Sequence, residues 1–165
     1  MTPTEASPAP LLPPGLDLVV RLMKPTDHHH VIHTWLRTFA DSGEVLSNYD
    51  HKDDYYADYH PIVERAVIQG AEHFTIACLR SEPDAIVAWS FIEMFPDEPA
   101  ILHYVHVKPR LRNIHVMRWF LNDWALDRML YTHSTLSWRK ISHPKQWAYR
   151  PLLKWRTQCS KLPST

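Results

Sequence analysis

Apolar positions in this chain change period several times, and each change marks an element. Leu16 to Met23 is a run rich in Leu and Val and predicts a first strand, stopped by Lys24-Pro25. Val31, Ile32, Trp35, Leu36, Phe39 and Ala40 then recur at helical spacing. They predict a helix capped by Thr26 or Asp27, running to about Ala40 and ended by Ser42-Gly43. Glu44 to Tyr59 is polar and tyrosine-rich and reads as a loop with one helical turn. Pro61 suits the first turn of a second helix, with Ile62, Val63, Ala66 and Val67 on its buried face and Gly70 as its stop. Three strands follow, His73 to Arg80, Ala85 to Met94 and Ala100 to Val107, the first two joined as a hairpin by Ser81-Glu-Pro-Asp84. A loop from Lys108 to Asn113 leads into an amphipathic helix reaching about Asp127, with Met117, Phe120, Leu121 and Trp124 on its core stripe. Met129 to Leu136 reads as another strand, and Pro144 to Leu153 as a short helix.

The ends differ from the middle. Met1 to Gly15 is rich in Pro, Ala, Ser and Thr and reads as a flexible arm. Its leucines, Leu11 and Leu12, are expected to bury against a neighbouring subunit or partner. Residues 16–156 form the domain and residues 157–165 a polar tail. With 165 residues the chain is long enough for one real core. Its formal net charge is zero with histidines neutral, which removes any general pull toward nucleic acid or membrane. No apolar run approaches the roughly 20 residues of a membrane span, and the N-terminus lacks a signal-peptide pattern. Cys78 sits in an apolar run as a small hydrophobe, Cys159 lies in the tail, and neither belongs to a disulfide or zinc pattern. These features set a cytoplasmic expectation.

One segment carries the functional argument: Val107-Lys-Pro-Arg-Leu-Arg-Asn-Ile-His-Val-Met-Arg-Trp-Phe-Leu121. It resembles the cofactor loop of the GNAT acetyltransferase family, whose pattern is a strand ending Val-x-Pro, then Arg-x-x-Gly-x-Gly/Ala, then an apolar pair. Val107 and Pro109 match the strand exit, Arg112 the arginine, Val116 the residue between the glycines, and Phe120-Leu121 the apolar pair. His115 and Met117 stand at the two glycine positions. The resemblance implies an α/β fold with a mixed, mostly antiparallel central sheet and flanking helices. It also implies that the strand ending at Val107 runs parallel to the one starting at Met129. Acetyl-CoA would lie along Val105 and Val107, its pyrophosphate on Arg110, Arg112, Asn113, Ile114, His115, Val116 and Met117. Glycine in such a loop lets backbone N–H groups approach a phosphate. Their loss here implies a degenerate cofactor site and a protein-binding role, with no cofactor. The segments Leu102–Lys108 and Thr132–Thr135 are similar in style to small bacteriophage-encoded GNAT-like proteins, so the partner would be a host protein or a particle component. The alternative is an active acetyl-CoA-dependent N-acetyltransferase acting on an amine of a protein or small molecule.

Acetyl transfer to an amine needs a proton acceptor and a proton donor. Among the residues the resemblance points to, Glu93 and His103 are candidates for the base and Tyr149 for the acid. Each has an ordinary reading beside it: a solvated strand end for Glu93, a hydrogen-bonded core residue for His103, aromatic packing for Tyr149. His28-His29-His30 and His33 invite a metal reading, since His29 and His33 share a helix face, but no further ligand is placed by sequence and no metal is expected. Trp138, Trp147 and Trp155 are interleaved with basic residues up to Arg156. That composition serves single-stranded nucleic acid or a protein interface, and a protein partner is the favoured reading, with a homo-oligomer compatible with it.

Overall fold

The structure is a computed structural model and describes residues 12–41, 46–95, 98–122, 129–132 and 147–149. Six strands form one sheet whose spatial order follows the chain, β1 to β6. They are β1 (Leu18–Leu22), β2 (Phe74–Leu79), β3 (Glu82–Glu93), β4 (Ala100–Val107), β5 (Met129–Tyr131) and β6 (Trp147–Tyr149). The first three pairings are antiparallel, and β4–β5 and β5–β6 are parallel. The mixed, mostly antiparallel sheet and the parallel β4–β5 pair are the arrangement expected from the sequence. Val19, Ile76, Val87 and Val105 all lie on its strands.

Helices α1 (His28–Ala40) and α2 (Lys52–Gln69) cover one face. Their core joins Val31, Trp35, Leu36, Tyr55, Val63 and Val67 to Phe74, Ile76, Trp89, Phe91 and Tyr104 of the sheet. Trp35 is its hub, within 5.1–6.3 Å, centroid to centroid, of Phe74, Trp89, Phe91 and Tyr104. Such aromatic pairs add about 0.5–1.5 kcal/mol each beyond area burial. Polar groups in this slab are satisfied by the helix. Trp89 Nε1 donates to Thr34 Oγ1 at 2.9 Å, and the hydroxyls of Thr38 and Tyr104 pair at 2.8 Å. The opposite face is covered by α3 (Val116–Asn122), whose Val116, Phe120 and Leu121 pack on Ala77, Val87, Val107, Leu102 and Met129.

Several readings of the sequence are corrected. Pro61 lies inside α2, not in its first turn. A mid-helix proline costs roughly 3 kcal/mol, but the stripe Tyr55, Tyr59, Val63, Ala66 and Val67 continues across it, and Tyr55 is fully buried with its hydroxyl donating to the Leu36 carbonyl. The carbonyl that Pro61 cannot serve belongs to exposed Ala57. The hairpin between β2 and β3 turns on Arg80-Ser81, so Glu82 to Asp84 belong to the strand. Trp147–Tyr149 is a strand added parallel to β5 where a short helix was expected. Leu12, read as part of a partner-binding arm, packs half-buried against this chain's own α3-side core. Residues 1–11 of the arm, most of the segment from Trp138 to Arg156 and the tail lie outside the described residues.

Asp27 does not cap α1 through its side chain. The carboxylate turns back, accepting from Arg21 at 2.6 and 3.0 Å and from the Lys24 N–H at 2.7 Å. Burial alone would push this carboxyl up, but the Arg21 and Lys24 hydrogen bonds outweigh it and hold it below the usual range. This clamp ties β1 to the start of α1. Replacing Asp27 by Ala leaves Arg21 without its main partner, and we expect a loss of about 2–4 kcal/mol in urea unfolding at pH 7. Asp27→Asn, which keeps one acceptor, should lose less.

Candidate active site

Strand β4 carries one residue more than β3 offers it. Phe91 faces Tyr104 and Ile92 faces Leu102, so His103 is the extra residue of a β-bulge. Side chains on a strand normally alternate between faces, and a bulge breaks that alternation. Here consecutive residues turn to one side. Tyr104 stacks on Trp35 and Trp89, while His103 lies 4.6 Å from the Phe91 ring.

The bulge delivers the His103 imidazole to Glu93 at the end of β3, where Nε2 and Oε2 are 2.8 Å apart. Both are buried, Glu93 at 0% exposure and His103 at 5%. The expectation of a solvated strand end for Glu93 is therefore overturned. Thr132, just past β5, completes the group. Its N–H bonds the Leu102 carbonyl at 3.1 Å, and its Oγ1 lies 3.3 Å from the His103 carbonyl oxygen and 3.4 Å from His103 Nδ1. Sequence reading had Glu93 and His103 as separate candidates and missed Thr132. The parallel β4–β5 pairing was the signal that could have found it.

The β4 exit lies on the other side of the sheet. Val107 is buried and Val105 half-buried against the α3-side core. Arg112 donates from Nε to the Val107 carbonyl at 3.1 Å, bracing the turn. Arg110 and Asn113 are exposed, Ile114 is half-buried, and Val116 is fully buried. His115 has φ 61°, the positive value that favours glycine. The backbone thus keeps a left-handed turn at the position where the family pattern has glycine. The exposed imidazole projects from that turn. Met117 is half-buried and packs into the clusters under α3, so its bulk goes to the core side.

Two further histidine groups lie on the α1 side. His106 is buried against the Trp89 ring. Burial, followed by the charges of Arg112, His30 and Lys108, pushes it down to about 4. His30 is also lowered, first by burial. His28, His29, His33, His60 and Glu64 line a groove of about 400 Å³ between α1 and α2. The His29 and His33 rings stack there 6.3 Å apart. Among the described residues no group of three or more His, Cys, Asp or Glu is placed to hold a metal ion.

Tyr149 sits on β6 opposite Tyr131, which is itself opposite Leu102. Its backbone is thus two strands from β4, in the row next to His103. No described helix is long and apolar enough to cross a membrane.

No protein-family model matches the sequence, and no curated protein does. Solved structures do resemble the fold. One, described as histone acetyltransferase HPA2 and related acetyltransferase from Corynebacterium glutamicum, is 17% identical with a TM-score of 0.48, over 66% of this chain and 70% of that one. A GNAT-family acetyltransferase from Listeria monocytogenes is 19% identical with a TM-score of 0.45, over 70% and 76%. Another of that family, from Staphylococcus aureus, is 11% identical with a TM-score of 0.43, over 68% and 71%.

Two outcomes follow from this geometry. His106 is held neutral in the fold and titrates near 6.5 when unfolded, so its contribution is complete above pH 6.5 and is lost as pH falls toward 4. The full loss is about 3 kcal/mol. Urea unfolding between pH 7 and 4.5 should show it, and the slope should flatten in His106→Phe. His115→Gly relieves the left-handed strain and should raise stability by up to about 1 kcal/mol, read as an upward shift in urea midpoint.

Proposed function

We propose that this chain transfers an acetyl group from acetyl-CoA to an amine, with the Glu93–His103 pair accepting the amine proton through one water. The observation that carries the reading is the β4 bulge, which brings two separately chosen base candidates to 2.8 Å. A buried carboxyl–imidazole pair beside the parallel β4–β5 junction can hold and pass on a proton, which supports this reading.

The residues at the β4 exit fit the cofactor. His115 keeps the left-handed turn without glycine, Met117 packs away from the loop, and exposed Arg110 and Arg112 supply positive charge. Asn113, Ile114 and the backbone through Val116 would complete the phosphate cradle, with Val105 and Val107 along the pantetheine arm. Acetyl-CoA would supply the activated thioester. Tyr149, one row from His103, is the proposed proton donor.

A second reading is favoured by one observation: both family glycines are replaced, and the His115 imidazole is exposed at the first. Under it the fold binds a protein partner, a host protein or a particle component, without cofactor.

Calorimetric titration with coenzyme A separates the two. Micromolar affinity is expected under the first reading, and absence of binding at millimolar ligand would sink it. Glu93→Gln should then lower the acetylation rate about 10²–10⁴-fold while leaving coenzyme A affinity unchanged.

A further inference from the structure

Helices α1 and α2 each bring one pair of metal-binding side chains to the groove between them. On α1 the pair is His29 and His33, and on α2 it is His60 and Glu64. Each pair is spaced i, i+4, which sets both members on one face of their helix. The two faces line the same groove of about 400 Å³. The sequence offers the first pair without a third ligand. The fold supplies it by laying α2 against α1.

Three imidazoles and one carboxylate make a donor set with a definite preference. Imidazole suits zinc, copper, iron and nickel, whereas magnesium and calcium take oxygen ligands. Two histidines at i, i+4 on a helix chelate zinc, which completes a tetrahedron with further nitrogen or oxygen donors. Facing helices build such centres from paired positions on each. We infer that the α1–α2 groove is a binding site for a divalent transition-metal ion of the zinc type, held by His29 and His33 from α1 and by His60 and Glu64 from α2.

As the side chains stand, the His29 and His33 rings lie parallel and 6.3 Å apart, and His60 Nδ1 is 3.9 Å from Glu64 Oε2. No three of these groups converge on one point in that arrangement. Binding therefore requires them to change rotamer and turn inward. All four are exposed, so the move disturbs no core packing. Behind them half-buried Ile32 and buried Leu36 give the groove an apolar backing. Such a backing lowers the local dielectric and strengthens the attraction between cation and carboxylate. The inference does not rest on the acetyl-transfer reading, and its test needs no acetyl donor.

The test is calorimetric titration of the full-length chain with Zn²⁺ at pH 7.5, beside thermal unfolding with Zn²⁺ or Mg²⁺. Wild type should bind one equivalent of Zn²⁺ with micromolar or tighter affinity. Its unfolding temperature should rise with Zn²⁺ and not with Mg²⁺. The His29→Ala, His33→Ala double variant should lose at least about 100-fold in affinity, and His60→Ala at least about tenfold. Alanine is the best helix former, so these exposed substitutions leave both helices intact. His51, exposed and outside the groove, is the control, and His51→Ala should bind as wild type does. Ions held adventitiously by scattered histidines would show as several equivalents or as an equal loss in His51→Ala, and either overturns the inference. So would absence of binding at millimolar Zn²⁺, an affinity that the double variant keeps, or one that His60→Ala leaves unchanged.

Discussion

Everything on the α1 side of this molecule depends on how Trp35 is held. A tryptophan at the centre of a helix–sheet interface brings a large apolar area, but the sheet beneath it carries Trp89 and Tyr104, each with a polar hydrogen to satisfy. Helix α1 answers with threonines on the flanks of Trp35. Thr34 and Thr38 stand one position before and three after it, and they take the indole N–H and the phenol. The helix therefore sits on the sheet in one register, since sliding it by a turn would strand both groups. Burial pushes the Tyr104 phenol up to about 12, so it stays neutral within this slab.

The bulge on β4 is the second constraint, and it builds on the first. Tyr104 is fixed by Trp35, Trp89 and Thr38. Leu102 is fixed on the opposite face with Leu121 and Met129. Two residues with an intervening position ordinarily share a face, so a regular strand cannot satisfy both anchors. One extra residue resolves the conflict, and His103 is that residue. The site is thus a by-product of two cores pulling on one strand.

This also explains what could be read in advance. The bounds of β4 are those its apolar run predicts, and the order of strands was visible because β-branched and aromatic runs are separated by turn residues. The bulge was not visible. From Leu102 to Val107 nearly every position is apolar or aromatic, so no alternation exists whose interruption could be noticed. Glu93 looked like a strand end meeting solvent, because nothing in its neighbours reveals a buried imidazole arriving from ten residues later. Pro61 misled for a related reason. Its intrinsic preference pointed to a helix start, while the tyrosine stripe that overrides it looked like a polar loop. Trp147–Tyr149 spans three residues, too few for either period to declare itself.

The sheet's spatial order repeats the order of synthesis, and that has a consequence for how the chain reaches this state. Strands β2, β3 and β4 pair across short turns, so this part of the sheet can form through short-range closures as a meander, whereas β1 reaches β2 only across both long helices. The contact between Glu93 and His103 spans ten residues and belongs to that early phase. Thr132 is 29 residues from His103 and can arrive only with the parallel strand, across a longer loop whose closure costs more entropy. Along the folding route the imidazole therefore meets its carboxyl partner first and its hydroxyl partner later. The last strand to dock therefore closes on a carboxyl–imidazole contact that is already made.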